Sequence, residues 1–523
     1  MTIAVARMPS CDAAQAATGT GLILLGWELA ARSLDGAHLL AAPSAVVLHI
    51  VENLGLYARA LRTTLAEAAT GFLFGNLAAV ILAAIAALWP RSERVVSGLA
   101  LIVFCLPLVA TGPILRVLYG PGPGPQVTLA ALAVYYTTLV PLLVGLRAVP
   151  ASWIDMVRSY GRGRLAALLN IRARAALPYL FAGLQIAAPA AFLGAMVGEF
   201  TGAERGMGVL TIRAMRALDV EATWALAAIA AVVSILAYAA IGLLARAVLN
   251  APPPVILAPP PVARSRRAAE PLLALVTLSL AILVWWGALE VFDLNAFFAK
   301  RPDDVWRFLF AGADAAAHRA TLGAALTETA VTVGPGYVAG LALGAGLAIA
   351  LNIVPALGAV AMPLAIALRS VPIVTTAPLL VLLVGRGPVG TVTLVAVMVF
   401  FPVLVACLHG LKQAPGQVLD VFASYDAGRV SRLAHAQLPA MLPAFFAAAR
   451  MTVPAAVLAV TVVEWLATGR GIGSLMALSA SLSDYGMLWS AVVVVALLSA
   501  VIYAGVAALE ARVLSVYASE QMT

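Results

Sequence analysis

The sequence predicts an all-α membrane protein of about twelve transmembrane helices, arranged as two six-helix repeats that face the same way. Three observations carry that expectation. Of 523 residues, 63% are hydrophobic and only 11% charged, and the mean hydropathy is +1.01. A water-soluble core cannot hide that much apolar surface, so the solvent must be lipid. A spanning helix needs roughly 20 apolar residues, and windows of that kind occur about six times in each half of the chain. Their apolar runs are continuous rather than alternating, which excludes barrel strands. Finally, the stretch Leu61–Leu249 recurs as Leu326–Leu514 without a gap. Pro178 pairs with Pro443, and 443 − 178 = 265. The same offset pairs Gly71 with Gly336, Pro113 with Pro378, Arg164 with Arg429, Glu199 with Glu464 and Trp224 with Trp489. Scarce residue types do not share a register by accident, so the chain is one unit written twice.

In chain order, helices are expected over 19–35, 66–89, 95–119, 127–149, 179–200 and 222–249. In the second half they are expected over 271–291, 327–350, 357–384, 389–411, 444–466 and 486–512. Trp27-Glu28 has a counterpart near Trp286, which marks the first helix as a retained span rather than a cleaved leader. The boundaries follow as residues 1–249 for the first membrane domain, 250–270 for a linker and 271–523 for the second. The linker reads APPPVILAPPP and ends in Arg264, Arg266 and Arg267. Proline that dense excludes a helix and gives a stiff, extended spacer. An even number of spans per half, with a basic linker, puts both chain ends in the cytoplasm. The loop Pro150–Leu177 has five arginines against one acid, Asp155, and is cytoplasmic by the same rule. The turn Tyr119–Gln126 and the stretches His38–Thr63 and Asp293–Thr321 then lie outside, the last two as amphipathic surface segments.

Several chemistries are missing. The chain has no G-x-x-x-x-G-K-[ST] loop, and neither of its two lysines, Lys300 and Lys412, follows a glycine. ATP cannot be held by that route. The five histidines are scattered, the three cysteines have no metal spacing, and no nucleophile stands beside a base. No enzyme active site, cofactor or metal is expected. The formal charge of +8 is almost all arginine clustered in connecting segments. That pattern orients a membrane protein and does not bind nucleic acid.

The strongest positive signal is the repeated cytoplasmic loop. The first copy, Ile154–Pro178, reads IDMVRSYGRGRLAALLNIRARAALP, and the second, Leu419–Pro443, reads LDVFASYDAGRVSRLAHAQLPAMLP. Each has an acid, Ser-Tyr, Gly-Arg, an amphipathic stretch and then Leu-Pro opening the next span. That order predicts a short helix, a break, and a second segment entering the membrane. A short helix lying across the inner face is a knob for another protein.

This loop resembles the coupling loop of permease subunits in binding-protein-dependent ABC importers, whose hallmark is Glu-Ala-Ala, Gly, Ile and Leu-Pro. Asp155-Met156-Val157, Gly161 and Ile171 match it loosely, as do Asp420-Val421-Phe422, Leu438 and Pro439. Asp replaces Glu in both copies, and Asp426 replaces the glycine in the second. GEFTGAERGMGVL (Gly198–Leu210) and VEWLATGRGIGSL (Val463–Leu475) are similar to a Glu-aromatic-x-Gly-x-x-x-Gly-x-Gly segment of nitrate/sulfonate/taurine/bicarbonate permeases. Permeases for pyrimidine precursors and riboflavin look similar. CLPLVATGP (Cys105–Pro113) and SVPIVTTAP (Ser370–Pro378) support the same likeness.

The resemblance implies a type I ABC importer permease fold with two permease domains fused head to tail. It implies two ABC ATPase subunits on the cytoplasmic side, an extracytoplasmic substrate-binding protein, and alternating access in an inner membrane. ATP would be hydrolysed by a separate subunit. The coupling residues would be Asp155, Ser159, Tyr160, Gly161, Gly163 and Arg164 in one loop. In the other they would be Asp420, Ser424, Tyr425, Gly428, Arg429 and Pro439. Thr111, Thr375 and Thr376, beside span prolines, are candidates for the translocation path. Glu199 and Glu464 are candidates too, with a second reading in which each is simply solvated at the interface or hydrogen-bonded to the glycine-rich turn that follows. Arg450 and Gln185 are expected to snorkel. The implied solute is a small organic anion such as a sulfonate or nitrate, or a pyrimidine or vitamin precursor. The competing class is an ion-gradient-driven secondary transporter with parallel six-helix halves, which would want paired charges deep in the membrane.

Overall fold

The structure is a computed structural model and describes residues 21, 24–33, 40–249, 270–354, 385 and 387–517. The expected linker and the expected span 357–384 lie outside the described residues, as do Thr375 and Thr376. Every regular element described is helical.

The first half holds α1 (residues 24–33), α2 (Pro43–Glu52), α3 (Leu54–Leu88), α4 (Glu93–Phe104), α5 (Leu108–Tyr119) and α6 (Gly124–Arg147). It continues with α7 (Ala151–Ser159), α8 (Arg164–Phe200), α9 (Met207–Arg216) and α10 (Val220–Val248). The second half repeats this with α11 (Glu270–Val291), α12 (residues 302–311), α13 (Ala315–Ile353), α14 (Pro388–Leu411) and α15 (Gly416–Ser424). It ends with α16 (Arg429–Thr468), α17 (Gly471–Ser481) and α18 (Tyr485–Tyr517). Among the described residues, 8 helices are long and apolar enough to cross a bilayer, or 9 if the bent α4–α5 pair is one span.

That pair corrects the single helix expected over 95–119. Its two axes meet at 90°. Pro107 cannot donate to the helix before it, while its own carbonyl accepts from Ala110 and Thr111 and starts α5. A second difference concerns the prolines expected to open spans. Pro178 and Pro443 lie inside the continuous helices α8 and α16. Both helices widen into a π turn just upstream, at Leu168–Arg172 and Leu433–Gln437. Local widening of this kind is one way a span tolerates proline.

Lipid exerts no hydrophobic pull between helices, so small residues decide which faces meet. In α3, Gly71 and Gly75 let α6 approach backbone to backbone. A Cβ at Gly75 would stand 2.6 Å from the Ala131 carbonyl oxygen. In α13, Gly336, Gly340 and Gly344 do the same against α14. We expect Gly75→Val to cost about 1–3 kcal/mol, read as a lower melting temperature of the detergent-solubilised protein. Each half also holds its first helix against its last by a tryptophan pair. Trp27 meets Trp224 at 5.0 Å, and Trp285 stacks on Trp489 at 5.5 Å. Helix α11 in addition crosses to the first half, where Gly98 of α4 makes room for Thr277.

One core cluster, built mostly from the second half, takes in residues of the first. Val109, Val197 and Phe200 of the first pack with Val460, Val462 and Val463 of the second. This places the C-terminal end of α8 beside that of α16. The two halves are therefore parallel, and both long loops emerge at the opposite end.

Candidate functional site

At the loop end, α7 and α15 occupy equivalent positions, and each stands out from its bundle. Only Ile154 is buried in α7, and no residue is buried in α15. Trp153, Met156, Val418 and Val421 are exposed apolar residues there, and Tyr160 and Tyr425 are 79% and 83% exposed. Asp155 pairs only with its neighbour Arg158, at 3.2 Å, and both are exposed. Ser159 and Ser424 donate to the Met156 and Val421 carbonyls at 2.8 Å and finish the two helices. The chain then turns through a left-handed residue, Gly161 at φ +69° and Asp426 at φ +50°. Gly163 and Gly428 follow in extended conformation, and Arg164 and Arg429 open α8 and α16. Pro439 lies past the π turn, inside α16.

An L-residue in the left-handed region costs about 1–2 kcal/mol, although Asp tolerates it better than most. Asp426→Gly is therefore expected to stabilise the second loop by up to about 1 kcal/mol, and Gly161→Asp to destabilise the first by a similar amount. Thermal unfolding of the two variants side by side checks the opposite signs.

The loops are tied to the spans behind them. The Arg164 and Arg172 guanidinium groups donate to the Leu88 and Ala87 carbonyls at 3.2 Å, where α3 ends. Cations there satisfy orphan carbonyls and complement the helix dipole. In the second half Asn352 donates to Gln437 at 2.8 Å. Since 352 − 87 = 265 and 437 − 172 = 265, this is the same link in other side chains. The segment that follows each loop helix is thus joined to α3 or α13.

At the other end each half closes a buried ring of hydrogen bonds. Thr64 donates to Glu199 at 2.5 Å, Gly208 N–H donates to the same carboxylate at 2.5 Å, and Met207 N–H donates to the Thr64 hydroxyl at 2.9 Å. In the second half Thr329 donates to Glu464 at 2.8 Å, Gly473 N–H at 2.9 Å, and Ile472 N–H donates to Thr329 at 2.9 Å. Glu199 is 1% exposed and Glu464 4%. Both carboxyl groups accept from a helix N-terminus, whose first N–H groups have no partner within the helix. Gly206 (φ +131°) and Gly471 (φ +83°) let the backbone pass, because a Cβ on either would land on the carboxylate. Glu199 and Glu464 are thus hydrogen-bonded to the glycine turn, one of the two environments the second reading allowed, and are not solvated. The threonine partners come from α3 and α13, 135 residues away. Thr64 and Thr329 also share the 265 offset, a match that marks the position in both halves but not the carboxyl group it meets.

Between the rings the halves touch. Ala110 and Ile114 of α5 pack on Ile472 and Met476 of α17, and Ile212 of α9 packs on the core shared by the halves. Thr111 is buried and donates to the Leu108 carbonyl of its own helix at 2.9 Å. Arg450 does not snorkel: it pairs with Glu510 of α18 at 2.9 Å, both side chains being 14% exposed. A charge inside a span demands such a partner. Ala245 and Gln185, at the equivalent positions of the first half, carry no charges. Among the described residues no three His, Cys, Asp or Glu side chains gather to hold a metal ion.

Comparison with known proteins agrees with the repeat. The family model described as binding-protein-dependent transport system inner membrane component matches residues 55–250 and again 340–515. A probable ABC transporter permease protein of Haemophilus influenzae is 29% identical over 219 residues, 42% of this chain and 89% of its own length. The formylaminopyrimidine transport permease protein ThiX of Halalkalibacterium halodurans is 26% identical over 42% of this chain and 88% of its own. The putative aliphatic sulfonates transport permease protein SsuC of Bacillus subtilis is 24% identical over 28% of this chain and 53% of its own. No solved structure matches significantly.

Proposed function

Because the chain belongs to the binding-protein-dependent transport system inner membrane components, and carries that domain twice, we propose that it supplies both permease halves of one ABC importer. It is a multi-pass membrane protein, and its relatives are transport permeases. In the proposed arrangement residues 1–249 and 271–523 are the two permease domains and 250–270 is a cytoplasmic linker. Both chain ends lie in the cytoplasm.

The observation that carries this reading is the matched pair of exposed helices, α7 and α15, at the same end of the bundle. Exposed apolar side chains on a segment outside the lipid are expected where a partner docks. Two ATPase subunits grip these helices, one each, and hydrolyse the ATP themselves. Their closure moves α7 and α15, and the tie of each loop to α3 or α13 carries the motion into the spans. The permease contributes a difference in affinity for its partners between two states. The end closed by apolar packing is the outer one, where an exported binding protein delivers solute. That solute is a small organic anion of the sulfonate, nitrate or taurine kind, or a pyrimidine or vitamin precursor. The relatives include permeases named for a formylaminopyrimidine, for riboflavin and for aliphatic sulfonates, which supports both classes without choosing between them.

Co-purification tests the reading. Deleting residues 155–164 and 420–429 together should abolish the complex with the candidate ATPase. An unchanged complex would refute the docking role of both loops.

A further inference from the structure

The two hydrogen-bonded rings sit where an alternating-access permease must open and reseal, and the proposed function does not explain them. Each ring joins three elements of one half. In the first these are the outer part of α3, the end of α8 and the start of α9; in the second they are α13, α16 and α17. The residues that seal the outer end flank the ring carboxylates in sequence. Val197 and Phe200 flank Glu199, and Val463 and Trp465 flank Glu464, all of them in or against the core shared by the halves. Ile472 and Met476, on the short helix that Glu464 holds, press on α5 of the other half.

The ring is also what the two halves keep in common while its surroundings differ. Glu67 of α3 is buried in the first half, and its counterpart is Thr332. In the second half Glu328 accepts from Gly471 N–H at 2.8 Å, and its counterpart is Thr63.

The seal and the ring differ in kind. The seal consists of apolar contacts, which part and re-form without leaving a polar group unpaired. The ring is a buried carboxyl group with backbone and hydroxyl donors, and opening it would leave buried polar groups without their partners. We propose that Glu199 and Glu464 are positioning residues for alternating access. Each welds its outer short helix to two spans, so that the tip of each half opens and reseals as one rigid piece. Neither carboxylate touches solute. This inference rests on the proposed ABC importer function.

The test uses the full chain with its ATPase and binding protein in liposomes, comparing Glu199→Gln/Glu464→Gln with wild type. Solute moved per ATP should fall about tenfold, within the usual range of coupling between sites, while hydrolysis without the binding protein rises. A ratio equal to wild type in folded protein overturns the inference. If the glutamine variant does not fold, Thr64→Ser/Thr329→Ser and Thr64→Val/Thr329→Val decide. Serine should keep the wild-type ratio and valine should lose it; equal ratios overturn the inference. Wild-type protein whose ATP hydrolysis ignores the binding protein would remove the parent reading, and this inference with it.

Discussion

Aspartate at Trp153, Met156 and Val421 should strip the ATPase from the permease and leave the permease itself folded. All three side chains are exposed on α7 and α15, so charging them removes no internal packing. Surface changes of that kind usually lie within about 0.5 kcal/mol in stability. In the proposed interface, a hot-spot side chain at the desolvated centre contributes about 2 kcal/mol or more. Two loops held at once multiply the effect, because losing one grip also loses the effective concentration that favours the other. The expected result is a drop in ATPase affinity approaching a thousandfold, since two such residues at about 2 kcal/mol each, at about 1.4 kcal/mol per tenfold, give nearly three decades. Titrating labelled ATPase against detergent-solubilised permease reads the affinity, and the melting temperature of the permease alone should stay unchanged. Equal affinity for variant and wild type would mean that these helices face nothing.

Valine at Gly471 should have a comparably large effect on folding. The backbone there has φ +83°, and a Cβ would occupy the place of the Glu464 carboxyl carbon and oxygens. Left-handed strain costs about 1–3 kcal/mol. A buried carboxyl group pushed off its donors costs about 1–3 kcal/mol more. Together these reach the lower end of the stability of a typical folded protein. We expect Gly471→Val to yield little monodisperse protein after extraction. Gly346→Val, at a glycine of α13 with open space around its Cβ position, is the control that should extract normally. The strained glycine is required only because a carboxylate lies beneath it, so normal extraction of Gly471→Val would undermine the ring.

The repeat, the spans and the loops were legible because each leaves a mark in one dimension. Membrane spans are long apolar runs, and the duplication aligns Gly, Pro, Trp and Glu at one offset. The turn after Glu199 was legible as glycines, since few other residues accept its backbone. Partners brought together only in space were not legible. Thr64 and Glu199 are 135 residues apart, and a threonine on an apolar helix gives no sign of which carboxylate it meets. The Arg450–Glu510 pair was missed for a related reason. Arg450 alone suggests a side chain reaching for water, and its acid stands on another span with no counterpart in the first half. The break in the third span is legible only after the fact. Pro107 permits a kink, but many membrane helices carry proline without turning through 90°. The Arg172 bond to Ala87 and the Asn352 bond to Gln437 use different side chains at one offset, so the likeness of the two links appears only in the folded chain.

The most direct test of the account is which side of the membrane the loop helices face. Cysteine placed at Tyr160 or Tyr425, with Cys11, Cys105 and Cys407 changed to serine, can be probed with a membrane-impermeant thiol reagent. Labelling only in inside-out vesicles, blocked when the ATPase is bound, is the predicted result. Labelling of either position in intact cells would put α7 and α15 outside, beyond reach of any ATP-hydrolysing partner, and the account would be wrong.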